Sequence, residues 1–129
     1  NGTTIGLGAI HPRSANGTQA TEARIADYRM VIDFFADYDK AIVAGDFNTY
    51  EDRELNVYRD ADWSLGNCGY FGYIDTYRPH TRAWYIDNII TKGIRIDNFY
   101  KIDNRADVSD HYPVVANLSL HLQARSEGK

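Results

Sequence analysis

The spacing of hydrophobic positions changes several times along this chain, and each change marks a predicted element. Thr3 to Ile10 is small and β-branched and is predicted as a strand. Gly2, Gly6 and Gly8 imply that it packs closely against another backbone. His11-Pro12 ends it, because proline cannot continue a ladder, and Arg13 to Ala20 reads as a polar loop. From Thr21 to about Tyr38, apolar residues recur at three- and four-residue spacing: Ile25, Tyr28, Val31, Ile32, Phe35 and Tyr38. That period predicts an amphipathic helix with Thr21 as its N-cap. Glu22, Arg24, Asp27, Arg29 and Asp33 fall mainly on the opposite, solvated face. Ala41-Ile42-Val43-Ala44 is a continuous apolar run, as a strand buried on both faces reads, and Gly45-Asp46 stops it.

Further along, Glu51 to Asp60 is predicted as a short helix and Trp63 to Tyr73 as a glycine- and aromatic-rich loop. Trp84 to Thr91 and Ile94 to Ile102 read as two strands joined hairpin-fashion at Lys92-Gly93. Tyr112 to Leu120 is a last strand. No repeat or linker interrupts the chain, so residues 1–122 form one domain and 123–129 a polar tail. Strand, helix, strand and then mostly strands predict an α/β chain of the α+β type. Its expected form is one mainly antiparallel sheet with a helix on one face.

Composition narrows the function. At 129 residues, 43% of them hydrophobic, there is material for one ordinary core. The net charge of -4 and the single, scattered placing of Arg13, Arg24, Arg53, Arg78 and Arg82 disfavour tight, non-catalytic nucleic-acid binding. A nuclease needs only a few phosphate contacts and stays compatible. Ten tyrosines suit an aromatic-rich core, interface or cleft. Cys68 is the only cysteine, so an intrachain disulfide and a thiolate metal cluster are both ruled out. No apolar run reaches the roughly 18–20 residues of a membrane span, and a soluble protein, cytoplasmic or exported, is expected. The chain opens Asn1-Gly2-Thr3 without an initiator methionine, so upstream sequence is expected. That triplet, Asn16-Gly17-Thr18 and Asn117-Leu118-Ser119 match the glycosylation pattern by chance.

Three segments carry candidate chemistry, each where a strand ends or begins. In Gly45-Asp46-Phe47-Asn48, a carboxylate and an amide two residues apart at a strand's C-terminal edge point the same way. Asp46 can orient or deprotonate water, and Asn48 can donate to phosphate oxygens; the same residues also make an ordinary turn. In Ser109-Asp110-His111-Tyr112-Pro113, a carboxylate suited to magnesium adjoins an imidazole that titrates near neutrality. A solvated strand-start turn is the plain alternative. In Trp84-Tyr85-Ile86-Asp87-Asn88-Ile89-Ile90, Asp87 interrupts an apolar strand. Either it needs a partner, a histidine being the obvious one, or it lies on the solvated face of an edge strand. His11, beside a proline, is by default structural, and Arg24 is by default solvated or salt-bridged. His80 and His121 show no chemical context.

In content and order these segments resemble the C-terminal half of the endonuclease/exonuclease/phosphatase family, of deoxyribonuclease I-like and exonuclease III-like proteins. The resemblance spans nearly the whole chain and ends in Ser109-Asp110-His111-Tyr112-Pro113. It implies half of a four-layer α/β sandwich and in-line hydrolysis of a phosphodiester or phosphomonoester, assisted by Mg²⁺ or Mn²⁺. It makes His111 the histidine at the scissile phosphate and Asp87 the aspartate that orients it. Asp46 becomes the activator of the attacking water and Asn48 the stabiliser of the transition state. Asp110 is a metal-site carboxylate, His11 a phosphate contact, and Arg24 a structural residue on the phosphate side. The chain departs from the family pattern at Ala9-Ile10-His11-Pro12 and at Tyr85-Ile86-Asp87-Asn88, and neither departure removes a catalytic group.

The resemblance also implies an N-terminal half that supplies a metal-binding glutamate and a second sheet. That half, in another chain, or a second copy of this one is therefore the expected partner beside a phosphoester substrate (nucleic acid, lipid head group or small molecule), and metal affinity without the glutamate should be weak. Acidic balance leans toward a small or lipid-linked ester. The alternative is a catalytically incomplete fragment or dead relative serving as a binding or interaction module. Retention of Asp46, Asn48, Asp87, Asp110 and His111 argues against simple decay. A sugar- or protein-binding domain of unrelated fold rests only on the Trp63 to Tyr73 loop.

Overall fold

The computed structural model describes residues 3–78, 83–103 and 108–120. Arg82, His80, His121 and the polar tail lie outside the described residues. In chain order the elements are β1 (Gly6–Ile10), α1 (Thr18–Phe34), β2 (Ala41–Asp46), a 3₁₀ turn (Asp52–Leu55), α2 (Asn56–Asp60), β3 (Ser64–Leu65), β4 (Asp87–Lys92), β5 (Arg95–Lys101) and β6 (Val114–Ser119). Strands β1-β2-β4-β3 form one sheet, and β5 and β6 pair as a separate two-stranded ribbon. β1 runs parallel to β2, as a strand–helix–strand unit requires, while the other pairings are antiparallel. No helix among the described residues is long and apolar enough to cross a membrane.

Helix α1 starts earlier than its apolar period suggests, and Gly17 rather than Thr21 occupies the N-cap without a side-chain cap. The Thr21 hydroxyl instead donates to Glu54 at 3.2 Å. Tyr28 and Phe35 are buried, as the apolar face predicts, and they pack with Phe47, Leu55, Tyr58, Trp63 and Ile90 into the core. Ring centroids there lie 5.1 Å apart for Tyr28 and Tyr58 and 6.2 Å for Phe35 and Trp63, distances at which aromatic pairs attract. Gly6 and Gly8 accommodate a side chain, not a backbone. A Cβ on Gly6 would sit 2.6 Å from Phe35 Cε1, and one on Gly8 3.3 Å from the same ring.

The Lys92-Gly93 turn does not make a hairpin. Gly93, at φ 69°, carries the chain out of one sheet and into the other, so β4 pairs with β2 and β3 while β5 pairs with β6. A two-residue turn signal tells that the chain changes direction, not which strand it then joins. The Trp63 to Tyr73 loop likewise contains the short β3, and Trp84 to Ile86 precedes β4 without belonging to it.

Side chains alternate across the sheet. Gly8, Val43, Ile90 and Leu65 share a row turned to α1 and the core, whereas Ala9, Ala44 and Ile89 form a row on the opposite face. That opposite face is less well covered: Leu7 is 74% exposed, Ala9 is exposed, and Ile42, Ala44 and Ile89 are half-buried.

Candidate active site

At one end of the sheet, β1 and β2 finish side by side and β4 begins. Ile10 pairs with Gly45, and Asp46 stands directly opposite Asp87 across the β2–β4 ladder. Gly45 has φ 151°, and a Cβ there would fall 2.1 Å from the Ile10 carbonyl oxygen. Only glycine lets β1 come this close, and that approach brings His11 beside Asp46. Beyond β2 the chain is held in place from both sides. The Phe47 N–H donates to the Ile86 carbonyl at 2.7 Å, and the buried Tyr28 hydroxyl donates to the Phe47 carbonyl at 2.7 Å.

Asn48 then takes the left-handed conformation at φ 51°, which asparagine tolerates better than most residues. Its N–H donates to Asp46 Oδ1 at 2.9 Å, closing an Asx turn, and its Nδ2 donates to the Pro12 carbonyl at 2.7 Å. The ordinary turn is therefore present, and its Asp46 and Asn48 both line a cleft. The turn aims the carboxylate, and the amide ties the β1–α1 loop to it.

His111 reaches the same point from the ribbon side. Its Nδ1 lies 2.7 Å from Asp87 Oδ2. An ionised carboxylate only accepts, so the proton sits on Nδ1 and Nε2 is turned toward Asp46 Oδ2, 3.7 Å away. His11 Nε2 approaches the same Asp46 oxygen, also at 3.7 Å, from a side chain 75% exposed. Neither distance is a direct hydrogen bond, so both imidazoles flank the Asp46 carboxylate without bonding it. Together with Asp110, Asn48 and the aromatic side chains of Tyr50, Tyr77 and Trp84, these residues line a cleft of about 560 Å³. Asp87 stands behind His111, its side chain 14% exposed.

Charges in this array oppose one another in a useful way. Burial raises the Asp46 pKa; the Asn48 N–H lowers it, the facing Asp87 raises it, and the two histidines lower it, leaving it raised from its ordinary value. Burial disfavours the His111 imidazolium, but the Asp87 hydrogen bond and charge, helped by Asp46 and Asp110, outweigh that and raise its pKa. A more basic carboxylate and a more persistent imidazolium, side by side, suit proton abstraction from water next to a phosphate anion.

Asp46, Asp87 and His111 place three possible ligand atoms within 4.8 Å of one another. His111 Nδ1 and Asp87 are committed to each other, however, so this group handles protons better than it encloses an ion. Asp110 is the exposed carboxylate at the cleft wall. As a hard oxygen donor it fits Mg²⁺ or Mn²⁺ bound through one or two carboxylates and water.

Arg24 is the salt-bridged residue of the two default expectations, not the solvated one. It is fully buried, away from the cleft, and bonds Glu54 through Nε at 2.8 Å and Nη2 at 2.9 Å. Its Nη1 donates to the carbonyls of Arg13 (3.1 Å) and Ala15. Glu54, equally buried, also accepts the N–H groups of Tyr50 at 3.3 Å and Glu51 at 3.2 Å. This pair thus ties the β1–α1 loop, whose Ser14 and Ala15 line the cleft, to Tyr50, which lines it too. Glu54 was hidden in a stretch that reads only as a polar helix, and its sole signal was the Glu51-x-x-Glu54 capping spacing.

No family model matches the chain, and none of the curated proteins does. Solved structures do. A functionally unknown conserved protein from Enterococcus faecalis V583 superposes with a TM-score of 0.64 at 20% identity, over 88% of this chain and 49% of that one. A humanised D. rerio TDP2 carrying 14 mutations gives a TM-score of 0.66 at 16% identity, over 86% and 53%. An endonuclease/exonuclease/phosphatase family protein from Bacteroides thetaiotaomicron gives 0.59 at 16% identity, over 82% and 46%. The chain has the mixed α/β fold of these proteins and the form of half an α/β sandwich. It spans about half the length of the structures it matches.

Proposed function

We propose that this chain carries the proton-handling half of a metal-assisted phosphoesterase site, which hydrolyses a phosphodiester or phosphomonoester. The observation that carries the reading is the convergence on one cleft of Asp46, held by its own Asx turn, and of His111, held by Asp87. Asp46 takes a proton from water as the water oxygen attacks phosphorus in line. The P–O bond to the leaving group breaks on the opposite side. His111, with Nδ1–H engaged by Asp87, presents Nε2 to the phosphate or the leaving oxygen. Asn48 and His11 flank the phosphate. Asp110 would hold Mg²⁺ or Mn²⁺, which supplies neutralisation of phosphate and leaving-oxygen charge when bound.

The cleft supports a substrate class as well. Tyr50 and Trp84 lie 6.0 Å apart, and Tyr77 and Trp84 6.4 Å, forming an aromatic wall beside the phosphate position. Such a wall favours an ester bearing a flat or apolar group, and the acidic balance favours a small or lipid-linked ester over long DNA. The half-covered sheet face at Leu7, Ala9 and Ile89 supports a partner layer, either the N-terminal half of a sandwich or a second copy.

Hydrolysis of bis-p-nitrophenyl phosphate with Mn²⁺, with and without EDTA, tests the reading. Turnover should vanish with EDTA and in Asp46→Asn and His111→Ala. Turnover unchanged in both variants would remove the assignment. The chain's span of about half the matched structures favours one second reading, an incomplete half that binds phosphoesters without turning them over. Binding of the ester by calorimetry with no hydrolysis would identify it.

A further inference from the structure

Asp87 and His111 are 24 residues apart in the chain. Asp87 opens β4, His111 precedes β6, and those strands lie in different hydrogen-bonded sheets. Among the described residues, Thr76 is hydrogen-bonded to both sides. Thr76 is fully buried, and its hydroxyl accepts the Asp87 N–H at 3.1 Å. Its backbone carbonyl accepts the N–H of Tyr112, the residue after His111, at 2.9 Å. The hydroxyl also stands 3.5 Å from the Trp84 carbonyl, which takes the Thr76 N–H at 2.9 Å. A hydroxyl can accept from Asp87 and donate to Trp84 through one atom, which an aliphatic side chain of the same shape cannot.

The neighbours of Thr76 extend the same connection. Tyr77 pairs with His111 in an isolated antiparallel bridge, and its ring meets the imidazole edge-on at 5.1 Å. Asn67, also fully buried, takes the other side of Asp87: its Nδ2 donates to the carbonyls of Asp87 at 3.1 Å and Ile74 at 2.8 Å. Its Oδ1 accepts the Ile74 N–H at 2.8 Å. Buried polar side chains are costly unless satisfied, and these spend their bonds on the peptide groups of Asp87 and of the strap from Ile74 to Arg78.

We propose that Thr76 is a positioning residue, whose hydroxyl and carbonyl together set the separation at which Asp87 meets His111. The inference rests on Asp87 and His111 being the working pair, but its test does not need turnover. A strongly hydrogen-bonded imidazole Nδ1–H gives a far-downfield proton resonance, assignable here as the one missing in Asp87→Asn. In metal-free protein, Thr76→Val and Thr76→Ala should lose this resonance or shift it upfield, while Thr76→Ser, which keeps the hydroxyl, should retain it at the parental position. If the reading above holds, kcat of the valine variant on bis-p-nitrophenyl phosphate should fall roughly tenfold to a hundredfold with KM within about twofold, as small misplacements of reacting groups do. An unmoved resonance in Thr76→Val or Thr76→Ala overturns the proposal. So does its loss in Thr76→Ser, which would assign the role to methyl packing; that variant decides alone should the others not fold. Because the resonance needs neither substrate nor metal, a chain inactive in every form would sink the phosphoesterase reading and leave this result standing.

Discussion

Replacing Glu54 with glutamine removes one charge from a pair whose side chains are both 0% exposed. The carboxylate accepts hydrogen bonds from Thr21, from two Arg24 nitrogens and from the N–H groups of Tyr50 and Glu51. An amide offers one accepting oxygen, and its NH₂ must face donors it cannot bond. The guanidinium meanwhile stays charged, as arginine does in proteins, but it has lost the Glu54 hydrogen bond and charge that offset its burial and hold its pKa above the ordinary value in the parent. With no water to screen it, breaking such a pair costs about 3–5 kcal/mol. Domains of this kind have only about 5–15 kcal/mol in total. At roughly 2–8 °C per kcal/mol, the midpoint should fall by on the order of 10 °C or more.

Urea unfolding followed by far-UV circular dichroism measures this. The midpoint should drop at an unchanged m-value. The double variant Arg24→Met, Glu54→Met, which removes both charges at similar volume, should recover most of the loss, because well-packed apolar replacements of buried pairs are often neutral. A Glu54→Gln variant within about 1 kcal/mol of the parent would refute the reasoning. So would a double variant no better than the single one, since the loss would then come from shape and not from charge.

Other outcomes follow from the same geometry. Asp87→Asn should cut turnover by about 10²–10⁴-fold, the usual size of a general acid–base contribution, and an NMR titration should show the His111 pKa falling. Because that pKa is raised in the folded chain, the histidine's contribution to stability is complete below its unfolded value of 6.5 and is lost as pH rises through the folded value; the Asp87→Asn variant should show a flatter stability profile over that window. Asp46, also raised by burial, costs stability once ionised, so Asp46→Asn should be inactive yet melt higher at pH 7, and a lower melting point would contradict this. Gly45→Ala should lose more than about 1 kcal/mol in denaturant titration, since its Cβ meets the Ile10 carbonyl at 2.1 Å across a paired ladder.

The residues that line the cleft were legible because short chemical segments keep their meaning wherever the chain goes. His11, Asp46, Asn48, Asp110 and His111 each stand beside a strand end that the apolar pattern located. Of their supports, Asp87 was legible as a carboxylate in need of a histidine, and the others were not. Helical periodicity counts apolar residues and so puts Arg24 on the polar face, and a guanidinium neutralised by a glutamate 30 residues away carries no local signal of its burial. Asn67 reads as a loop residue and Thr76 falls between the predicted elements for the same reason: their bonds are to distant backbone. The turn at Gly93 was seen, but strand partners are chosen by packing across the whole sheet, and no two-residue signal contains that choice.

The two tryptophans occupy opposite situations, and that gives the molecule its own optical readout. Trp63 is 5% exposed and packed against Phe35 and Tyr58, while Trp84 stands in the cleft against Tyr50 and Tyr77. Emission from the first follows unfolding; emission from the second follows whatever enters the cleft. A phosphoester bearing a flat group should quench the parent and leave Trp84→Phe untouched, so occupancy can be followed by fluorescence without a label.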